Sequence, residues 1–108
     1  GDFSASQELL LGEDRNALEH EIRGLLFEDL NNDGRPDVAA ACFASAQVKV
    51  FINTSTGTSL PQTFADSTHT FEEGRPRALC SGDFNADGKT DIATALWERN
   101  AVALLLAK

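Results

Sequence analysis

Short apolar runs recur along the chain: Ile22 to Glu28, Asp37 to Phe43, Gln47 to Ile52, Pro76 to Gly82, Asp91 to Trp97 and Ala101 to Ala107. Runs of this length, bounded by Gly, Asn, Asp and Ser, predict buried strands rather than helices. A more polar segment, Pro61 to Phe71, suits a fourth strand after the first three. Two places carry a competing signal. The Ala-rich residues 38 to 46 would also suit a helix, although the strand-like runs around them favour a strand. Between Glu13 and Arg23, Leu18, Ile22 and Leu26 recur at helical spacing among charges, which predicts a short helical turn before the first strand.

The pattern is written twice. Shifting the chain by 83 − 29 = 54 residues brings Glu73 onto Glu19, Arg77 onto Arg23, Leu79 onto Leu25, Ala93 onto Ala39, Ala95 onto Ala41 and Val102 onto Val48. The expectation is an all-β fold of two four-stranded antiparallel blades in a single domain, 1–108. The first blade takes residues 19–72. The second takes 73–108 and runs out after its third strand, so the N-terminal stretch 1–12, with Leu9, Leu10 and Leu11, is expected to supply a closing fourth strand. Ala39, Ala40, Ala41, Ala93 and Ala95 crowd the second strands, and such small side chains would let neighbouring sheets approach.

Between the first and second strand of each unit stands the same nonapeptide pattern, DxNxDGxxD: Asp29 to Asp37 and Asp83 to Asp91. Oxygen-bearing side chains at positions 1, 3, 5 and 9, with glycine at position 6 to permit the turn, suit a hard cation that takes many oxygen ligands in irregular geometry. Calcium is the expected ion. Its ligands would be Asp29, Asn31, Asp33, the carbonyl of Arg35 and Asp37, then Asp83, Asn85, Asp87, the carbonyl of Lys89 and Asp91. An Asx-rich turn without metal would use the same residue types. An EF-hand loop needs a bidentate Glu at position 12, where this chain has Ala40 and Thr94, and dockerin-like loops fail in the same way.

Composition narrows the function classes. The chain has 108 residues, 42% hydrophobic content and a formal charge of −8. A pI near 4.5 argues against nucleic acid as a partner. No apolar stretch approaches a membrane span. No Ser/His/Asp or Cys/His set stands at motif spacing, so catalysis is not expected. His20 and His69 occupy unrelated positions of the repeat, as do Cys42 and Cys80, which are expected to be free thiols. Asn53-Thr54-Ser55 is a glycosylation sequon.

A hydrophobic strand, DxNxDGxxD, an Ile/Val-Ala strand and a Val-rich strand together resemble the FG-GAP or VCBS repeat, the blade of integrin-alpha-like β-propellers, of many bacterial surface proteins and of some fungal lectins. The resemblance covers essentially the whole chain in two copies. It departs from the family in its degraded FG and GAP tripeptides, with Phe27-Glu28 before Asp29 and Ser81-Gly82 before Asp83. It also has two blades where closed propellers have about four to eight. The resemblance implies a calcium-stabilised, non-catalytic binding or adhesion module, extracellular or at the cell surface. The alternative is a lectin with pockets between blades. Two blades would leave sheet faces and a strand edge open, so a homo-oligomer closing a propeller is expected, a trimer ahead of a tetramer.

The ligand, protein or glycan, is expected on the face opposite the metal loops, at Phe43, Trp97, Glu98, Arg99 and Asn100. An indole beside polar groups can stack on a sugar ring while its neighbours bind hydroxyls. The plainer role for Trp97 is to cap the core like its counterpart Phe43.

Overall fold

The computed structural model describes residues 7–9, 21–57 and 62–107. Among them are seven strands: β1 (Ile22–Glu28), β2 (Asp37–Cys42), β3 (Gln47–Asn53), β4 (Phe64–Thr70), β5 (Arg75–Gly82), β6 (Asp91–Trp97) and β7 (Ala101–Leu105). They form two antiparallel meanders, β1-β2-β3-β4 and β5-β6-β7. The Ala-rich run is strand β2, because both of its neighbours offer it a ladder: Ala41 pairs with Gly24 on one side and Val48 on the other.

The expected two four-stranded blades closing into a propeller are corrected here. The first sheet has four strands, the second has three among the described residues, and neither sheet is closed. In the first sheet the polar segment Phe64–Thr70 pairs along β3, whereas no described strand pairs along the outer edge of β7. The expected closing strand at 1–12 and the helical turn between Glu13 and Arg23 lie mostly outside the described residues. Gln7 is described, and it borders the first sheet: its side chain donates to Gln62 O at 2.8 Å and accepts from Gln62 N at 2.7 Å, just before β4.

The second sheet stacks on the first through β5, which lies against β1 and β2. Cross-strand partners share a face, so Gly24, Ala41 and Val48 stand together on one side of the first sheet. That side is the covered one: a Cβ on Gly24 would meet Arg77 O at 2.5 Å and Ala78 Cα at 3.1 Å. Ala41 and Val48 are both 0% exposed. Their repeat counterparts, Ala95 and Val102, pair on the outward side of the second sheet, where Val102 is 68% exposed. Identical positions are thus buried or bare according to whether another sheet follows.

Candidate metal centres and the opposite face

Both acidic loops leave the same end of the stack, joining β1 to β2 and β5 to β6. Their backbones agree in detail. Gly34 and Gly88 at position 6 have φ of 83° and 85°, and position 4 is left-handed as well, at Asn32 (61°) and Ala86 (58°). This curl turns backbone N–H groups inward. Asp33 N donates to Asp29 Oδ1 (3.2 Å), Gly34 N to Asp29 Oδ2 (2.8 Å) and Arg35 N to Asp33 Oδ1 (2.9 Å). The second loop repeats the set with Asp87 N and Gly88 N on Asp83 at 3.0 and 2.8 Å and Lys89 N on Asp87 Oδ1 at 2.9 Å.

The last Asp of each loop is a different kind of residue. Asp37 and Asp91 are 0% and 1% exposed. Asp37 accepts from Leu30 N at 2.7 Å and from Asn53 N, at the end of β3, also at 2.7 Å. Asp91 accepts from Phe84 N at 3.1 Å and Ala107 N at 2.7 Å. Asp37 therefore ties its loop to the end of the third strand of its sheet, and Asp91 ties its loop to the chain just past β7. Sequence reasoning assigned these residues to metal alone. Their second duty rests on donors 16 residues away, and only the shared repeat spacing of Asn53 and Ala107 hints at it.

Carboxylate oxygens of Asp29, Asp33 and Asp37 lie within 4.8 Å of one another, as do those of Asp83, Asp87 and Asp91, so each triad could hold a divalent cation. The donor set fits such an ion, since three carboxylates and one side-chain amide meet in each loop. The Asn31 amide lies 3.0 Å from Asp33 Oδ1 and 3.2 Å from Asp29 Oδ1, and its NH₂ can donate to both. The Asn85 amide lies 3.0, 3.2 and 3.2 Å from Asp87, Asp83 and Asp91 and can donate to them in the same way. These hydrogen bonds offset part of the repulsion among the carboxylates, and turning the amide over would offer its oxygen to a cation instead. Arg35 offers partial compensation in the first loop, its guanidinium lying 3.6 Å from Asp33 Oδ2.

The electrostatics favour the charged carboxylates. Desolvation, the largest single influence on Asp29, pushes its carboxyl up, but backbone N–H donors from Gly34, Asp33, Asn31 and Asn32 outweigh it and hold the group below its ordinary range. Asp87 is also lowered, first by the backbone N–H of Lys89, with help from Asn85, Asp83 and the Lys89 charge against desolvation.

At the other end of the strands, the five residues expected to bind ligand separate. Phe43 is buried at 8% exposure, whereas Trp97 is 47% exposed, with ring centroids 5.6 Å apart. Trp97, Glu98 and Asn100 line one cleft of about 600 Å³, together with Arg77 and Val102. Arg99 instead pairs with Glu73. Trp97 is thus not simply a core cap, although one edge of it does cover Phe43. The sequence reading missed the arginines: Arg23, Arg75 and Arg77 all place guanidiniums over the Phe43 ring, at 4.6, 5.4 and 5.8 Å from its centroid. The equivalence of Arg23 and Arg77 under the repeat was the available signal.

The remaining reactive groups do not assemble. The His69 side chain, on β4, makes an edge contact with Phe71 just past the strand and no hydrogen bond to a described residue. Cys42 is buried and Cys80 exposed, both as free thiols. Asn53 of the sequon is 6% exposed, and its amide is engaged with Gln62 Oε1 at 3.2 Å and Ser55 N at 2.8 Å, so the folded chain does not present it for glycosylation. Among the described residues no helix is long and apolar enough to cross a membrane.

Comparison with protein families finds an FG-GAP-like repeat over residues 29–94, which spans both acidic loops and more than half of the chain. Comparisons with curated proteins and with solved structures give no match.

Proposed function

The chain belongs to the FG-GAP-like repeat family, and from that premise we propose that it is a non-catalytic binding or adhesion module whose two loops each hold one calcium ion. The observation that carries the metal assignment is the convergence of three carboxylates within 4.8 Å in each of the two loops, at matching positions of the repeat. Asp29, Asn31, Asp33 and Asp37 would hold one ion, with the Arg35 carbonyl; Asp83, Asn85, Asp87 and Asp91 would hold the other, with the Lys89 carbonyl. Oxygen-only donors in a flexible count suit calcium better than the smaller, strictly octahedral magnesium. The ion would supply no chemistry beyond charge and rigidity, neutralising six Asp that otherwise repel.

The test is a pair of thermal melts, one with millimolar calcium and one with chelator. Binding to the folded state alone raises the midpoint by mass action. An unchanged midpoint would reject a structural metal at either loop.

We place the ligand surface at the end opposite these loops, around Trp97, whose half-exposed indole favours a glycan as the alternative occupant to a protein. An extracellular or cell-surface setting suits calcium sites of this kind, where the free ion is abundant. Self-association is the partner reading for the outward sheet faces, where Leu25 and Phe27 on β1 are 68% and 70% exposed and Val102 and Leu104 on β7 are 68% and 52% exposed.

A further inference from the structure

We propose that Arg75, Arg77 and Trp97 form a recognition site for a carboxylate-bearing saccharide. In a chain of net charge −8, three guanidiniums gather within 5.8 Å of the centroid of one phenyl ring. A ring has two faces, so at least two of the three share one. Arg75 and Arg77 are the natural pair, since both are exposed while Pro76 between them is buried, and both reach the Phe43 ring although the register of β5 shifts after Pro76.

Nearby cations are otherwise matched with acids. Arg23 lies 3.4 Å from Glu21, and Arg99 pairs with Glu73. Among the described residues, Arg75 and Arg77 have no ion pair. Attraction to the Phe43 ring holds them in place but does not offset their mutual repulsion. An oxyanion between them would, because the planar guanidinium matches a carboxylate through two parallel N–H donors. The acidic loops do not cancel this field. They lie at the far end of β1 and β5, roughly 20 Å away along strands rising about 3.3 Å per residue, which is beyond the screening length of physiological salt.

The cleft defines what carries the anion. Arg77 forms part of the wall of the 600 Å³ cleft, facing a space also bordered by Trp97, Glu98 and Asn100. An exposed indole suits the apolar face of a pyranose, and a carboxylate with an amide suits its hydroxyls. The sugar's own carboxylate would then sit at the arginine end, away from Glu98. A ring with one apolar face, a hydroxyl rim and one carboxylate, such as a uronic acid, meets all four side chains. This deepens the binding-module reading at its ligand face and is independent of the metal loops.

The experiment is calorimetric titration of the chain with tri-galacturonic acid and, separately, with its trimethyl ester, calcium being equal in cell and syringe. The acid is expected to bind, and the ester to bind at least about tenfold more weakly, the worth of one charge-assisted contact. Arg75→Gln and Arg77→Gln should each weaken the acid by about ten- to a hundredfold while leaving the weak ester affinity unchanged. Trp97→Ala should weaken both. Equal affinity for acid and ester overturns the proposal, as does undiminished binding in both arginine variants or no heat at millimolar trisaccharide. Tighter binding of an oligoglutamate peptide than of the trisaccharide overturns the saccharide assignment. If an arginine variant misfolds, the acid-to-ester ratio of the wild-type chain decides. Failure of the calcium reading would show instead in the chelator melt, which none of these outcomes moves.

Discussion

Four residues sit in matched left-handed positions, and the repeat fills them unevenly. Asn32 corresponds to Ala86 in the loops, and Ala46 to Asn100 in the turns after β2 and β6, with φ between 55° and 61° throughout. Asn tolerates this conformation and Ala does not. Ala86→Asn and Ala46→Asn are therefore expected to stabilise the fold by up to about 1 kcal/mol each, nearly additively because they lie at opposite ends of the strands; urea titration would measure it. The loop carboxyls set an acid limit. Asp29 and Asp87 are depressed in the folded state, so their stabilisation is complete above the unfolded value of about 3.9 and disappears as pH falls through the lower folded values. A chelated sample should hold its melting midpoint from pH 7 to 5 and lose it below 4. Cys42 has the opposite sign: burial pushes its thiol up, against a smaller pull from Lys49. The folded chain should take up one alkylating group, at exposed Cys80, and a second only in denaturant. Rapid double labelling of the native chain would contradict the packing of β2.

At the scale of elements, the contact between sheets is set by what fits between β1 and β5. Gly24 touches the backbone of Arg77 and Ala78 closely enough that any Cβ must displace it. Gly24→Ala is expected to cost about 1–3 kcal/mol, as overpacking does. At the corresponding position of the second unit the residue is already Ala78, whose far side meets no further described sheet. Equilibrium unfolding of Gly24→Ala against Ala78→Gly reads the difference, since the latter should cost no more than about 1 kcal/mol as a glycine in a strand. Similar penalties at the two positions would mean the sheets do not stack through β1 and β5.

For the whole molecule, two sheets bury β2 well and leave both outer faces apolar. Leu25, Phe27, Val102 and Leu104 are each more than half exposed. Such faces associate in water, and the two differ, so contact between copies would be heterologous. Sedimentation should show a concentration-dependent mass above 11.6 kDa, reduced by Leu104→Glu or Phe27→Glu. A fixed monomer mass across millimolar concentrations would remove self-association from the reading.

The sequence by itself determined the strands and the loops. Period and turn residues placed β1, β2, β3, β5, β6 and β7 to within a few residues, and β4 within the longer segment Pro61 to Phe71, because short apolar runs between Asx and Gly clusters have few other solutions. DxNxDGxxD, written twice, marked both acidic triads because the oxygen donors are local to one turn. Only the tertiary structure decided which equivalent residues are buried, since Val48 and Val102 differ solely in whether a neighbouring sheet lies over them. It also decided that the second sheet has three described strands and no closure, that Asp37 anchors the end of β3 and Asp91 the chain just past β7, and that three arginines meet over Phe43. Each of these depends on groups far apart in the chain that approach only when one sheet stacks or pairs with another, and no local pattern of residues records that distance.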